Sequence, residues 1–403
     1  MRLLFISTET RPVIGGISRA LDGWLTGLAE AGHEVEMLSL IPSSLHFDLS
    51  SLPSRNYAEK WYPLPVRRDH VVDRFFVLRK LRSAVFSLLR RRFIISSFRK
   101  EMEIFKPDWV IFSILNELCC APLTRALARN IQCAAIAYGS EIQPARVENP
   151  LWLKRMMRRC KKIIAISSFT RQIVSNWGVS EDRTSVVHPP LAPDIIQRAG
   201  SAFDQPITRE NDVFTILTIC RLIERKGVQT VLEAITELRK DGKRIHYFVI
   251  GDGPFRAELE ALSQRLGVSE HVSFLGAVDD LEREKYLMRC DVFVMVPFRD
   301  NTCDVEGFGL VYLEAGLFRR PVIGSRSGGV ADAVKELATG VLVEPQNHSA
   351  LRDALARLFT DNDLREGLGA KGKEWSGRHT PAAIAKQFEN VLCNDVTLHT
   401  NTI

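Results

Sequence analysis

One alternation runs through this chain twice. Leu3-Leu4-Phe5-Ile6 is a short unbroken apolar run, the mark of a strand buried on both faces. A loop with Pro12 and Gly15-Gly16 follows. Ile17, Leu21, Trp24, Leu25 and Leu28 then recur at helical spacing, Gly32-His33 closes that helix, and Val35–Leu40 resumes strand. That order is a βαβ unit. Further strands are expected at 109–112, 134–137, 163–166 and 186–187. Residues 191–212 are polar, Pro-bearing and aperiodic, so they read as a linker. The alternation then restarts with a strand at 213–220 and a helix at 227–240 carrying Val228, Val231, Leu232, Ile235 and Leu238. Strands follow at 247–250, 272–275, 291–296, 321–324 and 341–343. Right-handed crossovers make each half a parallel, doubly wound sheet, with ligands at the carboxyl ends of the strands. The expected domains are 1–195 and 196–380, with a last helical segment, 381–403, crossing back to the first.

The 403 residues are 45% apolar and 25% charged, enough for two domains that each bury a core without staples. The net charge of +6 is not a nucleic-acid signature. It is unevenly placed. Residues 67–100 hold eleven Lys/Arg and two acids, a local +9, which leaves the remainder at −3. The eight cysteines form no C-x-x-C pair and no metal-ligand spacing, which suits thiols in a reducing cytosol. The first residues lack the shape of a signal peptide, and there is no run of about 18 apolar residues to span a bilayer.

Chemistry concentrates in the second half. From Asp304 to Ala315 two glutamates, Glu306 and Glu314, stand eight apart around a glycine-flanked turn. Glu306 falls in a loop and Glu314 near the start of a helix. The amides of Phe308, Gly309 and Leu310 form an anion site there. Carboxylates accept from vicinal hydroxyls, so a phosphate flanked by two sugars fits; a solvated loop acid and an ordinary first-turn helix acid fit the spacing about as well. Arg221 and Lys226 bracket the first strand-to-helix turn of the second half, two cations at the same edge. Gly15-Gly16 offers amides at the corresponding turn of the first half. It lacks the G-x-G-x-x-G fingerprint, and Ile41-Pro42 follows the second strand where an acid would stand. Gly251-Asp252-Gly253-Pro254 reads as a structural turn with Pro254 opening a helix.

Taken together, Arg221…Lys226-Gly227, Gly251-Asp252-Gly253-Pro254, Phe274-Leu275-Gly276 and Glu306-x7-Glu314 resemble the retaining glycosyltransferases of family four, the glycosyl transferases group one. The resemblance is dense over residues 213–345. In the first half it is looser, through Gly15-Gly16, Tyr138-Gly139-Ser140-Glu141 and Ala165-Ile166-Ser167. It implies the α/β GT-B fold, two doubly wound Rossmann-like domains facing each other across a cleft. It also implies acceptor binding in the first domain and nucleotide-sugar binding in the second. Arg221 and Lys226 then hold the diphosphate of a GDP- or UDP-hexose, and Glu314 takes the ribose. Glu306, with Gly307, Phe308, Gly309 and Leu310, faces the transferred hexose, and Gly16 approaches the phosphate. Tyr138 and Glu141 are the candidate sugar or acceptor contacts, although the family often carries His where Tyr138 stands. The usual Pro-Asn-Gly-Val-Asp is replaced near His188-Pro189-Pro190, so that loop receives no role. No metal and no cofactor are expected, because cations and helix ends supply the charge.

The implied activity is retaining, metal-independent transfer of a hexose to a saccharide or lipid-linked acceptor in cell-surface polysaccharide or glycolipid synthesis. It proceeds by a front-face route without a carboxylate nucleophile. An epimerase-like enzyme of the same fold and a non-catalytic nucleotide-sugar-binding subunit are the alternatives. In residues 74–92, Phe75, Leu78, Leu81, Val85, Leu88 and Leu89 recur at helical intervals among Arg79, Lys80, Arg90, Arg91 and Arg92. Such a basic amphipathic helix lies on an anionic membrane or packs its apolar face on the first domain. The expected location is cytoplasmic, peripheral on the inner face of the cell membrane.

Overall fold

The computed structural model describes residues 1–9, 15–42, 55–64, 76–116, 119–123, 126, 129–144, 147–202 and 213–393. The chain divides into two compact units. One comprises 1–166, 170–187 and 381–403; the other comprises 167–169 and 188–380. Among the described residues the strands form two wholly parallel sheets, one in each unit.

The first sheet holds seven strands: β1 (Arg2–Ser7), β2 (Glu34–Pro42), β3 (Ala58–Leu64), β4 (Trp109–Phe112), β5 (Gln132–Ala137), β6 (Lys162–Ala165) and β7 (Thr184–Val186). Their order is β3-β2-β1-β4-β5-β6-β7. Leu3, Leu4, Phe5, Val110, Ile111 and Phe112 are fully buried, as unbroken apolar runs demand of central parallel strands. Helix Gly16–Glu30 packs against the last described helix, Pro381–Cys393. They approach so closely that a Cβ on Gly27 would lie 2.2 Å from the carbonyl oxygen of Pro381. Trp24 meets Phe388 at 6.1 Å between ring centroids.

Strand β3 was not expected. Its sequence, AEKWYPL, mixes charge and proline, the usual dress of an edge strand. A buried ionic cluster fixes it: Lys60 pairs with Glu36 of β2 at 2.6 Å and with Glu101, and Tyr62 Oη donates to Glu101 at 2.5 Å. Glu101 belongs to helix Phe76–Phe105, whose Ile94, Phe98, Met102 and Phe105 are buried at helical spacing. This helix carries the basic stretch. Arg92 is exposed and Arg91 half-buried. Leu88 and Leu89 are 52% and 54% exposed, so these two do not pack on the domain. Arg79, Lys80 and Arg90 fall on the helix, but their side chains lie outside the described residues, as do residues 65–75. Among the described residues no helix is long and apolar enough to cross a membrane.

The second sheet holds β8 (Phe214–Ile219), β9 (Ile245–Ile250), β10 (Val272–Gly276), β11 (Val292–Val294), β12 (Val322–Ser325) and β13 (Gly340–Val343), in the order β10-β9-β8-β11-β12-β13. Two expectations are corrected here. The supposed linker contains a helix, Pro193–Ala202, whose Ile195 and Ala199 are buried and whose Arg198 grips Glu284 bidentately at 2.8–2.9 Å. The two compact units meet at 187/188, before that helix. Residues 203–212 lie outside the described residues. The helix expected to open at Pro254 starts at Arg256. Gly251 and Gly253 are there for close approach: a Cβ on them would lie 1.8 Å from the Cys220 carbonyl oxygen and 2.3 Å from that of Leu222.

Candidate functional site

In the second sheet the strand order reverses between β8 and β11, the switch point outside which an open α/β sheet binds ligands. The loops leaving those two strands carry the candidate residues. After β8 the chain makes one 3₁₀ turn, Glu224–Lys226, ended by Gly227 at φ 76°. Only glycine fits there. A Cβ would suffer the left-handed conformation and lie 2.1 Å from the carbonyl oxygen of Val296, just past β11. The Phe298 amide donates to the Arg225 carbonyl at 2.9 Å, so the two loops are joined backbone to backbone.

The β11 loop is shaped by Asp300. Its Oδ1 accepts from the Thr302 amide at 2.9 Å, the Thr302 hydroxyl at 2.7 Å and the Asp304 amide at 2.9 Å. Burial alone raises the pKa of Asp300, but these donors and Arg225 hold it below the ordinary range. The turn delivers Asp304 and Glu306 to the basic loop. Lys226 Nζ lies 2.5 Å from Glu306 Oε2, Arg225 Nη1 lies 3.3 Å from the same oxygen, and Arg225 Nε lies 3.0 Å from Asp304 Oδ2. Burial works to raise the Glu306 carboxyl, yet the two cations outweigh it and keep the group ionised. Lys226 and Glu306 are thus brought together, as the sequence suggested. Arg221 is exposed, and the ionic pairing falls to Arg225, which sequence reasoning passed over.

Gly307, Phe308 and Gly309 continue to helix Leu310–Leu317, whose N-cap, Gly309, has φ 92°. A second glycine pair supports this stretch. A Cβ on Gly328 or Gly329 would lie 2.2 Å from the Glu306 carbonyl oxygen or 2.0 Å from that of Gly307, and the Gly329 amide donates to Glu306 O at 2.8 Å. Ser327-Gly328-Gly329 just after β12 was the available signal for it. Glu314 is not an open carboxylate. It is 5% exposed, and its Oε2 accepts from Arg283 Nη1 at 2.7 Å in a buried ion pair with helix Asp280–Arg289.

In the first unit, Gly16 opens its helix after the Gly15 cap, and a Cβ on either glycine meets nothing within 4 Å. Among the described residues neither glycine is demanded by packing. Tyr138 is buried 6.2 Å from the Trp24 ring, and Glu141 Oε1 accepts from the Tyr138 amide at 2.7 Å. The pair closes its own turn and does not present the Tyr138 hydroxyl at the surface. His188, whose loop had no expected role, packs its ring on Phe308 at 5.1 Å.

Residues 201–375 match the family Glycosyl transferases group 1, and residues 14–194 match Glycosyltransferase Family 4. The chain belongs to glycosyltransferase family 4. This GT-B family membership agrees with the two doubly wound sheets. A GDP-mannose-dependent alpha-(1-6)-phosphatidylinositol monomannoside mannosyltransferase of Mycobacterium tuberculosis is 36% identical over 163 residues, 40% of this chain and 42% of that protein. Its Mycolicibacterium smegmatis counterpart is 30% identical over 56% of this chain and 59% of that protein. The chain therefore spans roughly half the length of these relatives. An uncharacterized glycosyltransferase of Methanocaldococcus jannaschii is 24% identical over 97% of both chains. Among solved structures, Anabaena HepE in complex with UDP and glucose superposes with a TM-score of 0.72 at 16% identity, covering 97% of this chain and 99% of that one. At this identity the likeness is one of fold.

Proposed function

We propose that this family 4 protein transfers a hexose, with retention of anomeric configuration, from a GDP- or UDP-hexose to a saccharide or lipid-linked acceptor in cell-surface polysaccharide or glycolipid synthesis. The observation that carries the reading is the Lys226–Glu306 contact at the strand-order switch point, beside a helix N-terminus. A diphosphate there meets Lys226 as a point charge, Arg221 as an exposed fork and the amides of residues 308–310. Glu306 faces the hexose. As the glycosidic bond breaks, its electron pair passes to the leaving phosphate oxygen. That oxygen takes the proton of the attacking acceptor hydroxyl on the same face, and the acceptor oxygen forms the new bond. Protein catalysis then consists of holding the departing charge, with cations in place of a metal. The GDP-mannose dependence of the mycobacterial relatives favours GDP-mannose as donor.

Thermal unfolding with a panel of nucleotide-sugars tests this. A donor at a hundred times its Kd should stabilise by about 2.7 kcal/mol, with GDP-mannose expected to give the largest shift. Product should form only when acceptor lipid or saccharide is added. No shift with any nucleotide-sugar would remove the reading; turnover without acceptor would favour an epimerase.

The exposed Leu88 and Leu89, among arginines on one helix, support seating on an anionic membrane. Co-sedimentation should rise steeply with the anionic lipid fraction and fall with salt. Binding equal on neutral and anionic vesicles would sink the electrostatic attachment.

A further inference from the structure

His188 and His379 are 191 positions apart and stand near opposite ends of the 188–380 segment of the second unit. Their rings stack at 5.5 Å with planes 16° apart. His379 Nδ1 lies 2.9 Å from the Trp375 carbonyl oxygen, and its Nε2 lies 3.4 Å from His188 Nδ1. The protons follow from chemistry. A carbonyl only accepts, so His379 Nδ1 carries hydrogen. Burial holds His379 down to about 4 and lowers His188 too, so both rings are neutral near pH 7. His379 Nε2 is then a lone pair, and His188 Nδ1–H must be the donor.

The chain of contacts continues into the donor loop. His188 packs on Phe308, and Trp375 sets its edge against both imidazoles, at 6.5 Å and 4.7 Å. The Leu191 amide donates to the His379 carbonyl at 2.8 Å, fixing the opening residues of this segment, just ahead of helix Pro193–Ala202, to its last turn. Asp332 and Lys335 act on His188, and Lys335 and Arg378 on His379. Phe308 is 2% exposed and stands between Gly307 and Gly309, two residues with no side chain to anchor them. Its ring is therefore the handle by which this short stretch is held from its far side.

We propose that the imidazole pair is a positioning device for the 306–309 loop. His379 orients His188, and His188 holds Phe308, so that Glu306 and the amides after it keep the geometry that binds a nucleotide diphosphate-sugar. The donor clause rests on the function proposed above.

His379→Asn keeps an N–H for the Trp375 carbonyl and removes the ring acceptor at Nε2. His188→Leu keeps an apolar contact with Phe308 and removes the donor; His188→Phe is the second variant, retaining an aromatic ring. Hydrogen exchange of the 306–309 amides in the full chain without nucleotide is read first, then Kd for UDP and for GDP. Exchange should quicken and Kd should rise about fivefold, the factor one net hydrogen bond carries. The double variant should do no more than either single one. Unchanged exchange over 306–309 in folded variants overturns the proposal. Faster exchange with unaltered nucleotide affinity overturns it as well, since loop order is then not what binding uses. A wild-type protein that binds neither nucleotide brings down the donor clause, while the exchange measurement still decides whether the pair holds the loop.

Discussion

Lys226→Ala is expected to lower kcat/KM by about a hundred- to a thousand-fold, the loss that follows removal of one preorganised donor from a developing charge. Two effects combine. On the proposed function, the departing diphosphate loses a point charge. Glu306, 2.5 Å from the ammonium, keeps Arg225 at 3.3 Å as its cation among the described residues, and its negative charge then opposes an arriving phosphate. Lys226→Arg should recover little, because a planar fork at the end of a 3₁₀ turn cannot replace a compact ammonium. Glu306→Gln alone removes the negative charge that the proposed hexose contact uses. The double variant should fall well short of the product of the single losses, because both substitutions disrupt one pair. Steady-state kinetics with the donor found by thermal shift decide it. Wild-type kcat/KM in Lys226→Ala would refute the site.

What could be read in advance divides along physical lines. Central parallel strands are buried on both faces, so β1 and β4 announce themselves as apolar runs. Strand β3 does not, because an edge strand carries Glu59, Lys60 and Pro63, and its pairing is decided by Glu36 and Glu101 far off in sequence. Helix Pro193–Ala202 looks like a linker because few of its side chains, Ile195 and Ala199 among them, are buried. Lys226 and Glu306 were legible because strand-end loops converge in this topology. Choosing between Arg221 and Arg225 was not, since the 3₁₀ turn, and not the spacing, sets which guanidinium points at Asp304. The Gly328–Gly329 cradle was hidden for a related reason. A glycine pair signals close approach but does not say to which carbonyl.

The second large effect is expected at Glu314. Its carboxylate and Arg283 are both almost fully buried and 2.7 Å apart. Removing one member of such a pair costs about 3–5 kcal/mol, and Arg283 would then rely on the exposed Asp280 at 3.3 Å, which places the loss toward the lower end. Glu314→Ala should therefore destabilise the second unit strongly as well as weaken nucleotide binding. The two consequences separate in a cycle. Replacing both residues, Arg283→Met with Glu314→Ala, removes the stranded cation, and much of the stability should return. A carboxylate that also takes ribose hydroxyls has no substitute in that double variant, so nucleotide affinity should stay low. Denaturant unfolding reads the first quantity and nucleotide titration the second. If the double variant regains both, Glu314 serves to fasten helix Leu310–Leu317 to helix Asp280–Arg289, and the ribose must be held by other groups. If it regains stability alone, one carboxylate does both tasks, with Arg283 holding one oxygen in place while the ribose is met by the other.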